Sequence, residues 1–256
     1  MDLGLKGKVA IVTGGSRGLG RWTALGLADE GCNVAISARG EETLLNTVQE
    51  IESRGVKALG VVGDMARDED IKRLISETQS KLGGVDILVN NVGGSRGAGF
   101  LETNDEHWMD GINVNLMAAV RASRLVLPAM RERGGGRIIT ISSIYGRESG
   151  GTVVYNAVKA AEISLMKSLA REFAKDNVLV NSVAPGSILF PGGGWERRMK
   201  DDPERIAAFV KNDMPLGRFG RPEELANVVV FLASERASRM TGACINVDGC
   251  QSRSNI

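Results

Sequence analysis

A doubly wound α/β fold, with a parallel sheet covered by helices on both faces, is what this chain of 256 residues predicts. Three observations carry it. Short, β-branched apolar runs alternate with longer stretches of helical period. Those runs are near-continuously hydrophobic rather than alternating, as strands are when both faces of their sheet are covered. A glycine-rich turn joins the first run to the first helical stretch, where a βαβ unit opens.

In chain order, residues 8–13 read as the first strand and 18–30 as the helix that follows the turn. The runs at 33–38, 57–63 and 85–90 read as strands two to four, separated by helices at 41–54 and 68–81. A long helical stretch at 104–131 leads to the fifth strand at 137–142, and another at 152–175 to the sixth at 178–184. A last helix at 222–234 precedes the seventh strand at 243–247. Strict alternation implies right-handed crossovers and a parallel seven-stranded sheet. No linker, repeat or low-complexity stretch interrupts this order, so a single domain over residues 1–256 is expected. Two irregular stretches, 93–99 and 187–213, leave the carboxyl ends of strands four and six, where ligands bind in open α/β sheets. They are the expected walls of a site, with 187–213 as its lid.

Composition narrows the function classes. Hydrophobic residues make up 43% and charged residues 25%, and 32 Lys plus Arg against 31 Asp plus Glu leave a net charge of +1. That balance offers no electrostatic case for nucleic acid or an anionic membrane. The N-terminal apolar run at Val9 is too brief for a signal or a span, so a cytoplasmic protein is expected. Cys32, Cys244 and Cys250 lack metal-ligand spacing, and His107 is the only histidine. No metal site is therefore expected, and Cys32 and Cys244 read as small core residues. His107 reads as a polar helix position beside Trp108.

The turn Thr13-Gly14-Gly15-Ser16-Arg17-Gly18-Leu19-Gly20 can bring backbone close to a pyrophosphate, and the helix it opens offers unpaired N–H groups to an anion. No Gly-Lys-Ser/Thr follows, which disfavours a nucleoside-triphosphate loop. At the end of the second strand an acidic residue would bond a ribose 2′-hydroxyl and select NAD. The chain has Ser37-Ala38-Arg39 there, with no carboxylate before Glu41. Arg39, with Arg17 as a second cation, suits the 2′-phosphate of NADP(H). Farther along, Tyr155 and Lys159 stand four residues apart, on one face of the 152–175 helix. A tyrosine hydroxyl has a free pKa of roughly 10, and a nearby ammonium favours its ionised form.

Taken together, these features resemble the short-chain dehydrogenase/reductase family in its compact branch, over nearly the whole chain. The resemblance rests on the glycine turn, Asp64 after the third strand, and Asn90-Asn91-Val92-Gly93 after the fourth. It extends through Asn115, Ser142-Ser143, Tyr155-x-x-x-Lys159 and Pro185-Gly186. It implies a Rossmann-type sheet and Tyr155 as general acid for carbonyl reduction. It further implies Lys159 lowering the Tyr155 pKa and holding the nicotinamide ribose, a serine hydroxyl on the substrate carbonyl oxygen, and Asn115 anchoring a proton-relay water. Asp64 and the Met65 backbone are similar to an adenine contact, Asn91 to a wall beside the adenosine ribose, and Ile188 to a carboxamide contact. Family members usually assemble as tetramers through their long fourth and fifth helices, so a homotetramer is expected. The apolar faces at 116–126 and 160–169 fit that assembly or an ordinary core.

The chain departs from the family pattern in four places. The catalytic serine usually ends the fifth strand as second of its pair, thirteen positions before the tyrosine. Here Ser142 has that count, whereas anchoring on the strand end selects Ser143 with a shortened loop. Strand ends hold position better than loop lengths, which favours Ser143. Val92 replaces an alanine, Phe190 stands near where a threonine is usual, and Gly249-Cys250 replaces a Gly-Gly pair. Trp195, inside 187–213, either packs or touches substrate. The resulting expectation is an NADP(H)-dependent reductase of a ketone or 3-oxoacyl carbonyl. Arg96, Arg147, Arg197, Arg198 and Lys200 are candidates for a basic patch toward an acyl-carrier protein, diluted by Glu148 and Glu196. The alternatives are an NAD-linked dehydrogenase working oxidatively and, from another class, a non-catalytic dinucleotide-binding regulator.

Overall fold

The β-branched runs pair into one parallel sheet of seven strands in the order β3-β2-β1-β4-β5-β6-β7. The computed structural model describes residues 2–255. The strands are β1 (Val9–Val12), β2 (Asn33–Ala38), β3 (Ala58–Val62), β4 (Ile87–Asn90), β5 (Gly136–Ile141), β6 (Val178–Pro185) and β7 (Cys244–Val247). The predicted doubly wound architecture is therefore present. Strand order reverses between β1 and β4, whose register pairs Ala10 with Ile87 and Val12 with Val89. That reversal opens a crevice at the carboxyl ends of the two strands.

Helices cover both faces. On one lie α1 (Gly18–Asp29), α2 (Glu41–Glu52) and, from later in the chain, the Pro222–Ala233 helix. Leu27, Ile36, Leu44, Ile51 and Leu225 fill the layer beneath them. The opposite face carries α3 (Asp68–Lys81) and the long helices that follow β4 and β5, over Ile71, Leu74, Leu88, Met130 and Ile138. Each such side chain, fully withdrawn from water, contributes about 1.5–3 kcal/mol. Burial on both faces explains why the strands read as continuous apolar runs.

One predicted element is corrected. The stretch read as a single helix over 104–131 is α4 (Asp105–Gly111), a π-helical turn (Ile112–Met117) and α5 (Ala118–Glu132). The widened turn frees the Gly111 carbonyl, which instead accepts from the Asn115 amide at 2.8 Å. Such π insertions concentrate at functional sites. At the start of α4, Asn104 and His107 exchange a capping box, which gives the lone histidine a structural job.

The remaining helices are α6 (Val153–Phe173), α7 (Gly194–Asp201), α8 (Pro203–Asp213) and α9 (Pro222–Ala233). The 187–213 stretch thus holds two helices rather than the one charged segment read from the sequence. They close over a small core of their own, Ile206, Met214 and Phe219 with Trp195 and Phe209 packed on it. Its first residues are tied back to the body by a parallel bridge between Ile188 and Gly220. Among the described residues, no helix is long and apolar enough to cross a membrane and no cluster of metal-ligating side chains occurs.

Candidate active site

The glycine turn is shaped by contacts that only glycine tolerates. Gly18 has φ +54°, and a Cβ on Gly20 would overlap the Gly14 carbonyl oxygen and the Asn91 amide. Gly14 N–H donates to Ser37 Oγ at 3.3 Å, and Gly15 N–H to the Ser37 carbonyl at 2.9 Å. Asn91 donates its side-chain amide to the carbonyls of Thr13 (2.9 Å) and Gly14 (3.2 Å). Its side-chain N–H groups thereby brace the turn. Ser16 and Leu19 sit partly buried in the same turn.

Arg17 and Arg39 are both exposed, and among the described residues neither has a hydrogen-bonding or ionic side-chain partner. Arg39 directly follows β2, Arg17 stands in the turn whose Gly14 and Gly15 N–H groups bond to Ser37 of that strand, and no acidic residue lies between Asn33 and Gly40. Asp64 accepts from Ala66 N–H at 3.0 Å and donates its own N–H to Asp70 at 2.9 Å, closing a turn after β3. The Met65 side chain is buried, which holds its backbone at the rim. These groups suit a phosphorylated dinucleotide: a close-approach cradle, a helix N-terminus and cations for an extra phosphate.

Tyr155 and Lys159 lie on one face of α6, with Lys159 Nζ 5.7 Å from the centre of the Tyr155 ring. Lys159 is 3% exposed. Its ammonium donates to the Ile141 carbonyl at 2.9 Å and to both oxygens of Glu162, at 2.9 and 3.2 Å. Burial opposes the ammonium, but the Glu162 carboxylate, aided by Tyr155, more than offsets it and raises the Lys159 pKa. Asn115 accepts from Gly94 N–H at 3.0 Å and donates to the Gly94 carbonyl at 3.1 Å. A Cβ placed on Gly93 would stand 2.6 Å from Asn115 Oδ1 and 3.0 Å from Lys159 Nζ. The loop after β4, the π turn and α6 therefore meet at one point.

The two serines have different partners. Ser142 donates its hydroxyl to the Lys159 carbonyl at 2.9 Å, deep in the interface between β5 and α6. Ser143 accepts from Tyr145 N–H at 3.1 Å, which leaves its own hydroxyl proton uncommitted. Only Ser143 retains a donor for an incoming oxygen.

A family model described as Enoyl-(Acyl carrier protein) reductase, in the short-chain C2 group, matches residues 14–250. The 3-oxoacyl-[acyl-carrier-protein] reductase FabG of Aquifex aeolicus is 42% identical over 252 residues, covering 97% of this chain and 99% of that protein. This chain belongs to the short-chain dehydrogenase/reductase family. The same-named reductase of Thermotoga maritima is 37% identical over 246 residues, with 96% and 98% covered. Among solved structures, L-sorbose reductase from Gluconobacter frateurii, complexed with NADPH and L-sorbose, superposes with a TM-score of 0.94. It has 38% identity, with 99% of this chain and 100% of that one covered. A 3-oxoacyl (acyl-carrier-protein) reductase from Agrobacterium tumefaciens C58 with NADP bound gives 0.91 at 35% identity, covering 97% and 95%.

The short-chain dehydrogenase/reductase pattern also shows what its departures do here. Phe190 packs its ring against Gly18 and Gly193, so the position covers the glycine turn with an apolar plate. Cys250 takes φ +67°, a left-handed conformation that explains the usual glycine. Trp195 stacks on Phe209 with centroids 4.8 Å apart, which makes it a packing residue of the 187–213 stretch. An apolar cavity of about 670 Å³ between α8 and the 217–221 turn shares no lining residue with the Tyr155 cluster.

Of the five candidate basic residues, four have partners and Arg197 is exposed without an ionic partner among the described residues. Arg96 pairs with Asp110 and Lys200 with Glu196. Arg147 donates to the Cys244 carbonyl at 2.7 Å, and Arg198 lies over the Trp195 ring. Two site-shaping residues escaped the sequence reading. Gln251 clamps the residue after Pro185-Gly186, accepting from Ser187 N–H at 2.7 Å and donating to Ser187 Oγ at 3.0 Å. Only its place just past the altered Gly249-Cys250 pair pointed to it. Glu162, three residues beyond Lys159 on the same helix face, was legible in the spacing alone.

Proposed function

We propose that this short-chain dehydrogenase/reductase uses NADP(H) to reduce a ketone or 3-oxoacyl carbonyl to an alcohol, with Tyr155 as general acid and, in reverse, general base. The observation that carries the reading is the convergence of Gly93, Asn115 and Lys159, with Tyr155 on the same face of α6 and Ser143 ending β5 with its hydroxyl proton uncommitted. The dinucleotide, when bound, supplies hydride at its nicotinamide. Gly14, Ser16, Gly18, Leu19 and Gly20 would cradle its pyrophosphate, and Arg17 with Arg39 its 2′-phosphate. Asp64, Met65, Asn91 and Gly93 would line the adenosine side, and Pro185, Gly186 and Ile188 the nicotinamide side.

At the substrate, the Ser143 hydroxyl donates to the carbonyl oxygen as negative charge develops there. Tyr155 gives that oxygen its proton. Lys159, positively charged, would hold the nicotinamide ribose and would favour the phenolate left on Tyr155. Asn115 fixes the 93–94 backbone against Lys159 and anchors the water that returns the proton. The whole chain acts as one catalytic unit, in which 187–213 closes as a lid and excludes water. A homotetramer in the cytoplasm completes the reading, and exposed Phe100, Leu101 and Met109 around the start of α4 offer apolar surface for assembly.

A second substrate class is favoured by one observation. With Arg96 and Lys200 in ion pairs and Arg147 turned inward, the exposed Arg197 and Arg198 are what the candidate patch leaves for an acidic carrier protein. A small polar ketone, such as a ketose, needs neither. NADPH oxidation with an acetoacetyl thioester and with L-sorbose separates the two. Binding of NADPH without oxidation by any ketone in a broad panel sinks the reductase reading and leaves the regulator.

A further inference from the structure

Glu162 is the least exposed charged group of the site, at 1%. Among the described residues its only hydrogen-bond partner is Lys159 Nζ, which both carboxylate oxygens share. A carboxylate and an ammonium taken out of water together are stabilising only when the geometry is close and the remaining donors are satisfied. Here the distances are 2.9 and 3.2 Å, and the Ile141 carbonyl takes a further ammonium proton at 2.9 Å. The chemistry assigned to Tyr155 and Lys159 makes no use of this carboxylate.

Its surroundings single out what it can influence. On α6 the groups acting on the pair are Lys159 and Tyr155. The elements packed on it contribute neutral groups: Asn115 from the π turn, Ser142 at the end of β5, and Tyr145 from the turn after it. No other carboxylate or cation acts on Lys159 or Glu162 themselves, whereas Tyr145, next to Tyr155, is acted on by Glu148, Arg198 and Asp213. We propose that Glu162 is a positioning residue that keeps a proton on the Tyr155–Lys159 pair and so sets the pH at which the pair becomes a base. This inference rests on the acid–base reading of Tyr155.

The physical argument does not depend on which member releases the proton. Two close, coupled groups lose protons in macroscopic steps that belong to the pair. A negative charge beside Nζ favours every protonated form over its deprotonated one, whether the product is phenolate with ammonium or phenol with amine. Replacing Glu162 by glutamine keeps the shape and one of the two acceptor oxygens but removes the charge. The first proton must then leave at lower pH.

Tyr155 is one of only two tyrosines, so the Tyr145→Phe background isolates it spectroscopically. The full-length chain in that background, labelled with 13C at tyrosine Cζ and lysine Cε, is titrated by NMR, with Lys159→Arg assigning the lysine signal. The earlier of the two transitions is expected to fall by about one pH unit in Glu162→Gln. In Glu162→Asp, which retracts the carboxylate by one methylene, it falls by less. An earlier transition that stays in place or rises in Glu162→Gln overturns the proposal. Should that variant not fold, an unmoved transition in Glu162→Asp overturns it equally. Turnover of Tyr155→Phe is measured alongside: an active variant defeats the acid–base reading, whereas an inactive one with unmoved transitions defeats only the role of Glu162.

Discussion

On the glycine-turn side of the cleft, backbone groups from β1, β2 and the loop after β4 are bonded to one another through Thr13, Ser37 and Asn91. On the 187–213 side, two short helices rest on an aromatic cluster of their own and are moored at the ends by Ile188 and Gln251. The first region is fixed by partners far apart in sequence, and its polar groups have little freedom. The second packs mostly on itself beyond Ile188 and Phe190, which join the main core. A dinucleotide presents the same surface to every enzyme that uses it, so a rigid cradle serves. Substrates differ, and in the function proposed above the 187–213 wall is where that difference is accommodated.

The contrast can be broken most severely at the reacting groups. Tyr155→Phe should lower kcat by roughly a hundred- to ten-thousand-fold while NADPH still binds. Fluorescence titration of NADPH beside steady-state rates checks both, and near-normal kcat removes Tyr155 from the acid role. Ser143→Ala should cost about a hundredfold in kcat. Ser142→Ala should instead lose about 1 kcal/mol of stability, because its hydroxyl serves the Lys159 carbonyl. If turnover collapses only in Ser142→Ala, the two serines have been assigned the wrong way round.

On the rigid side, Arg39→Asp should shift the NADPH-to-NADH preference in kcat/KM by about tenfold or more. An unchanged ratio would place the 2′-phosphate elsewhere. The smallest expected effect lies at the mooring. Cys250→Gly relieves a left-handed residue but adds backbone freedom to the unfolded chain, for a net gain of about 0.5 kcal/mol. Denaturant melts measure this, and a loss of stability would mean that the Cys250 side chain contributes more than its strain costs.

The sheet was legible because strands buried on both faces leave uninterrupted β-branched runs, and residues 33–38 and 68–81 were bounded as they stand. The break within 104–131 was not, since a π turn needs no proline or glycine of its own and is stabilised by the Asn115 amide, a tertiary feature. At the site, the glycine turn and the Tyr155–Lys159 spacing are local patterns and could be read directly. The choice between Ser142 and Ser143 depends on where two hydroxyls point after β5 meets α6, which spacing does not encode. Gln251 joins Ser187 across 64 positions, and no periodicity announces such a clamp.

The bridge between Ile188 and Gly220 carries a consequence for how such a chain diversifies. Leu189 N–H donates to the Gly220 carbonyl at 3.0 Å and Gly220 N–H to the Ser187 carbonyl at 3.0 Å. The two ends of the intervening stretch are thus stapled side by side, like the base of a handle. Lengthening a loop whose ends already meet adds little entropy cost, about 0.6 kcal/mol per doubling. Beyond Phe190, which packs on the glycine turn, the stretch between the staples can be exchanged, extended or re-sequenced as a cassette while the sheet and the cradle stay as they are.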